Sequence, residues 1–177
     1  ALGQETESVK MSSGSGDLLV SGPVRELAME TGSGTATARL SRPAEKVRLH
    51  SGSGDLSLNG GAGHLAAHSG SGSIVAEGLT GGAELESSSG NVTARWKEPP
   101  GGGRVLAGTG SGEIRLTFPA GAQFSGLLDT SSGDIRCDFP GTLEGRNQHS
   151  FSLAGGAGST ELQVETGSGD IQVVAAK

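Results

Sequence analysis

Eight copies of one short phrase run through this chain, each a glycine-rich corner followed by a β-prone strand. The copies begin at Ser13, Thr31, Ser51, Ser69, Ser87, Thr109, Thr130 and Thr166. Their final glycines are Gly16, Gly34, Gly54, Gly72, Gly90, Gly112, Gly133 and Gly169, spaced by 18, 20, 18, 18, 22, 21 and 36 residues. A period near 20 marks a stacked repeat, in which no single unit can bury its apolar face alone.

Aligned columns show which residues face inward. Two places after the final glycine stand Leu18, Ala36, Leu56, Ile74, Val92, Ile114, Ile135 and Ile171. Two places further stand Val20, Ala38, Leu58, Ala76, Ala94, Leu116, Cys137 and Val173, with polar or mixed residues between. That alternation is a strand with one buried face. A second strand precedes each phrase, with inward pairs such as Leu27/Met29, Val47/Leu49 and Leu162/Val164, shifted by a residue to Gly126/Leu128 in one copy. The expected fold is all-β: one single-chain β-solenoid over residues 1–177, of about eight or nine coils of 18–22 residues. The 36-residue step is read either as a degenerate coil around Ser150–Leu153 or as an insertion within 138–158.

The corners carry structural expectations. The serine of the phrase (Ser15, Ser33, Ser53, Ser71, Ser89, Ser111, Ser132, Ser168) recurs in every copy, as a hydroxyl column bonding the next coil's backbone would. The final glycine recurs as expected where φ is positive. Six places beyond it, short coils have Gly22, Gly60 and Gly78, and longer coils have Leu40, Trp96 and Phe118. Long coils then leave space that a large side chain fills, with Trp96, Phe118 and Phe139 on successive coils. An exposed aromatic row would instead be a sugar platform. Cys137 stands in an apolar column and reads as a buried, unreactive thiol.

The 33 glycines keep fixed repeat positions, which argues against a disordered linker. Four Phe, one Trp and no Tyr fit a thin core of Val, Ile, Leu and Ala. A net charge of -6 with no Lys/Arg cluster argues against a nucleic-acid partner. No apolar run approaches a membrane span. A lone cysteine excludes an internal disulfide.

The phrase Ser/Thr-Gly-Ser-Gly-Asp-Ile/Leu-x-Val, best shown by Leu162-Gln-Val-Glu-Thr-Gly-Ser-Gly-Asp-Ile-Gln-Val173, resembles a bacterial family of β-strand-repeat domains of unknown function that carries an adhesin label. The resemblance runs from about Val9 to Val173. It implies a β-helix-like fold, an extracytoplasmic or cell-envelope location, and no catalytic residues or cofactor. The chain opens at Ala1 without a signal peptide, so that location implies a targeting segment outside these residues.

Specific chemistries fit poorly. Calcium β-rolls need a longer glycine-aspartate motif twice per coil, and here Thr35 and Ser73 replace the acid in two copies. A phosphate loop needs a lysine and a helix. An ice-binding Thr ladder is broken by Leu19, Ser57 and Val75. A pectinolytic site needs clustered carboxylates; Arg115 and Arg136, with Glu113 and Asp134, read instead as a solvated face on adjacent coils. One constellation remains. Glu30, His50, His68 and Glu86 precede the corners of four consecutive copies and should form one outward column. Side chains there would stand about 5 Å apart, so His50 and His68 are candidate ligands for a divalent metal, flanked by the two glutamates. A solvated polar ladder is the simpler reading.

These observations point to a non-catalytic envelope or extracellular scaffold or adhesion-like module, whose partner would be a cell-surface glycan or protein. A polysaccharide-binding or polysaccharide-degrading β-helix is the alternative. A third reading, end-to-end assembly through open terminal coils, follows from unpaired strand edges.

Overall fold

The computed structural model describes residues 6–101, 103–144, 149–156 and 159–176. Each repeat supplies two strands that turn at the Ser-Gly corner, and strands of neighbouring levels pair in parallel. In chain order the first four coils are β1 (Thr6–Ser13) with β2 (Leu18–Gly22), β3 (Val24–Thr31) with β4 (Ala36–Leu40), β5 (Ala44–Ser51) with β6 (Leu56–Asn59), and β7 (Ala62–Ser69) with β8 (Ile74–Leu79). Next come β9 (Gly82–Ser87) with β10 (Val92–Trp96), β11 (Arg104–Ser111) with β12 (Ile114–Pro119), and β13 (Phe124–Thr130) with β14 (Ile135–Cys137). A pair of short strands follows, β15 (Gly141–Glu144) and β16 (Ser150–Leu153), and the last coil is β17 (Thr160–Ser168) with β18 (Ile171–Ala176). The chain is a β-solenoid with two sheets, one of ten strands and one of eight.

The core lies between the sheets. Leu56, Ile74, Val92, Ile114 and Ile171 in one sheet, and Val47, Leu65, Leu85, Val105 and Leu162 in the other, are at most 1% exposed. Burying each such side chain stabilises the fold by roughly 1.5–3 kcal/mol, and the gain exists only because a coil covers it on each side.

The stacking does not follow chain order. In the ten-stranded sheet β17 lies between β11 and β13, and in the eight-stranded sheet β18 lies between β12 and β14. Ile114 therefore pairs with Ile171, and Ile171 with Ile135. Composition accounts for this order. The last coil is apolar at all four inward places (Leu162, Val164, Ile171, Val173), which suits a level covered on both sides. The coil that precedes it offers Gly126 at one place, and its Ile135 and Cys137 stay half-buried. That coil suits an end. Two expectations fall with this order. Arg115 and Arg136 both pair with Gln172 and so lie two levels apart. Phe118 is in register with Ala175, so Phe118 and Phe139 lie two levels apart, with their rings meeting edge to face at 6.3 Å.

The 138–158 stretch is no parallel coil. Within it β16 runs antiparallel to β13, and β15 runs antiparallel to β16, which extends the ten-stranded sheet at that end with β15 as its edge. Phe151 and Leu153 cover the core there. Residues 145–148 and 157–158 lie outside the described set.

Candidate functional site

The backbone of the corners is satisfied by a buried hydroxyl ladder, and it is not the ladder the sequence suggested. Ser15 and its seven equivalents are all exposed. The first residue of each phrase forms the ladder instead. Thr31 Oγ1 donates to Gly16 O at 3.0 Å, Ser51 Oγ to Gly34 O at 3.1 Å, Ser69 Oγ to Gly54 O at 2.9 Å and Ser87 Oγ to Gly72 O at 2.9 Å. Thr109, Thr166 and Thr130 continue it onto Gly90, Gly112 and Gly169. A small β-branched or hydroxymethyl side chain facing inward reaches the carbonyl of the preceding level; one facing solvent two residues on cannot. At the closed end His149 takes the place of the missing threonine, with Nδ1 3.1 Å from Gly133 O. A carbonyl only accepts, so that nitrogen carries the proton.

The final glycines serve clearance more than unusual φ. A Cβ on Gly54 would lie 2.0 Å from Gly34 O, and one on Gly72 2.1 Å from Gly54 O. Positive φ occurs at Gly112, Gly133 and Gly169 but not at Gly54 or Gly72. The corner acids also bond between coils. Asp17 Oδ1 accepts from Thr35 N, Asp55 from Ser73 N, Asn91 from Glu113 N and Asp170 from Asp134 N, each within 2.8–2.9 Å. One acceptor serves two levels, which explains why Thr35 and Ser73 can replace the acid.

At the opposite corner Gly22, Gly60 and Gly78 have φ of 120°, 105° and 85° and turn tightly. Trp96, 2% exposed, stacks on Phe118 with centroids 4.2 Å apart, and its Nε1 donates to Gly81 O at 2.8 Å. Phe124 fills the gap over Ala175, touching Phe118 at 4.5 Å and Phe139 at 4.9 Å. The aromatic group is core, not an exposed platform. Cys137 is half-buried because β14 is the last strand of its sheet. Burial chiefly, and Asp138 beside it, push its pKa up, against a backbone hydrogen bond from Phe139 that lowers it.

The outward column is formed in register. Glu30 pairs with His50, His50 with His68, and His68 with Glu86. His68 Nδ1 lies 3.2 Å from Glu86 Oε2, and these two side chains are 37% and 60% exposed. A shallow recess of about 620 Å³ over Ala28 and Ala66 adjoins His50, His64 and His68. Among the described residues no three His, Cys, Asp or Glu side chains converge as a metal site. A parallel ladder points neighbouring side chains the same way, and so does not close them around an ion. The described residues contain no helix, hence none long and apolar enough to cross a membrane.

The Toastrack DUF4097 family, a domain of unknown function, matches residues 3–174. The chain belongs to that family. Nothing in the match carries an adhesive role or an envelope location to this chain. No curated protein and no solved structure matches it.

Proposed function

We propose that this Toastrack domain is a non-catalytic scaffold or adhesion-like module of the bacterial cell envelope or exterior, holding a partner on a rigid β-surface. The observation that carries the reading is the parallel register running through eight levels, closed at one end by β15 and β16. Such a body presents fixed columns of side chains at about 4.8 Å intervals, a geometry that suits an extended repetitive partner. The closing strands also argue against growth by addition of copies at that end, because the core there is covered by Phe151 and Leu153.

Cell fractionation of the native producer, followed by incubation of the purified chain with surface polysaccharides, tests the reading. Retention in the envelope or medium with polysaccharide length unchanged supports it. Cytoplasmic recovery, or shortened chains in the incubation, would overturn it.

A further inference from the structure

A recess of about 710 Å³ lies at the corner opposite the Ser-Gly turns, and coil length creates it. The third and fourth coils turn at Gly60 and Gly78 with no side chain, whereas the second and fifth project Arg42–Pro43 and Lys97. Two tight coils between two wide ones leave a saddle. Its walls are three coil steps apart, roughly 14 Å at the ordinary strand spacing. The saddle is open across the corner, so an extended chain can cross it.

The chemistry of the lining narrows the ligand. Lys97 stands on one wall and Arg95 at the rim, with Glu77 the single acid of the lining. Among the described residues neither Arg95, in register beside Glu77, nor Lys97 makes an ion pair, in a chain of net charge -6. An excess of cations here favours an anionic ligand. Glu77 is held beside Asn59, whose Nδ2 lies 3.4 Å from Glu77 Oε2, and the pair offers donors and acceptors suited to hydroxyl groups. Backbone beside the two walls is committed to the corner, since Lys97 N donates to Leu79 O at 2.8 Å and Ala44 N to Gly61 O at 3.2 Å, which leaves side chains to read the ligand. Pro43 on one wall, with Trp96 and Pro119 at the other side of the recess, adds apolar surface that suits the C–H faces of sugar rings.

We propose that this saddle binds one to two residues of an acidic glycan, the carboxylates read by Arg95 and Lys97 and the hydroxyls by Asn59 and Glu77. The proposal names a ligand class for the module reading above and rests on it, but the two fail differently. Shortened glycan sinks the module, whereas intact glycan without binding sinks only the saddle.

The test is titration of the full chain with hexagalacturonate, read by calorimetry and by the fluorescence of Trp96, its sole tryptophan, which borders the saddle. Maltohexaose and poly-glutamate are the comparators. The expected result is saturable binding of hexagalacturonate that weakens at least tenfold in R95A/K97A and with added salt, with little binding of either comparator. Asn59→Trp, which places a ring in the saddle from an exposed position, should abolish binding while the circular-dichroism melt stays unchanged. Equal binding of maltohexaose, equal binding of poly-glutamate, or affinity untouched by R95A/K97A would each overturn the assignment.

Discussion

Thr109 lies in register with Thr166, and Thr166 in turn with Thr130, so the last coil of the chain occupies the level between the two coils that precede it. The pairing of β11 with β17 spans 57 residues, from Arg104 to Glu161, where chain-order neighbours are separated by about one repeat. The C-terminal coil is thus interior, and the coil written before it is terminal.

This order sets opposite costs for two otherwise equivalent isoleucines. Ile171 is fully buried between Ile114 and Ile135, and Ile135 is half-buried. Ile171→Ala should cost about 2–5 kcal/mol, the range for a core truncation that leaves a cavity. Ile135→Ala should cost clearly less in urea denaturation. A solenoid stacked in chain order would reverse the ranking.

The inward columns were legible from sequence because a strand repeats every two residues and a solenoid repeats every coil, so one alignment sorts both sheets. The corner pattern was legible for a similar reason: coil length and side-chain size at Leu40, Trp96 and Phe118 vary together. The level of each coil was not legible. Ser/Thr-Gly-Ser-Gly reads the same wherever it sits in the stack, and only the weak coil with Gly126 and Cys137 hinted at an end. The hydroxyl ladder was misplaced by two residues because Ser51 and Ser53 have the same chemistry and differ only in the way they face. The saddle was invisible as a site, since it is made by short coils lying between long ones, and the charged residues that line it are scattered in the sequence.

Trp96 contributes through packing and through its donor. Trp96→Ala should lose on the order of 3 kcal/mol, as other buried aromatics do. Trp96→Phe keeps a ring against Phe118 but leaves Gly81 O without its donor, at a cost of about 1 kcal/mol. Equilibrium urea unfolding of both variants checks the pair, and a near-zero loss in Trp96→Ala would place the indole outside the core.

Clearance at the corners predicts a positional effect for one substitution type. Gly54→Ala sets a Cβ 2.0 Å from Gly34 O and should destabilise by about 1–3 kcal/mol, as overpacking does. Gly14→Ala, at the open first coil with nothing within 4 Å, should stay within about 0.5 kcal/mol of the parent. Equal melting temperatures for the two variants would contradict the stacking argument.

Cys137 supplies a pH dependence whose sign is fixed by burial. Its folded pKa is raised, so the neutral thiol is favoured in the native state. The associated stability is fully present below the ordinary thiol range. It is lost as pH climbs through the raised folded value, because the unfolded chain releases its proton first. Stability should therefore decline at alkaline pH, and Cys137→Ser should show less of that decline. A disulfide reagent at pH 8 should label native protein slowly and unfolded protein fast. Immediate native labelling would show an accessible thiolate.

The column of Glu30, His50, His68 and Glu86 yields a last prediction, about zinc. His50 and His68 are in register on one exposed face, so two imidazoles are available at about 5 Å. Tetrahedral zinc takes four donors, and a structural site takes all of them from the protein. Here the glutamates stand beyond the histidines in line with them, and the nearest, Glu86, already contacts His68 Nδ1. Without convergent donors or supporting hydrogen bonds around them, the pair should hold zinc weakly at most. Calorimetric titration with zinc at neutral pH should give no saturable heat in the micromolar range, and His50→Ala should be indistinguishable from the parent. Saturable heat that disappears in both His50→Ala and His68→Ala would make the column a metal site and displace the solvated-ladder reading.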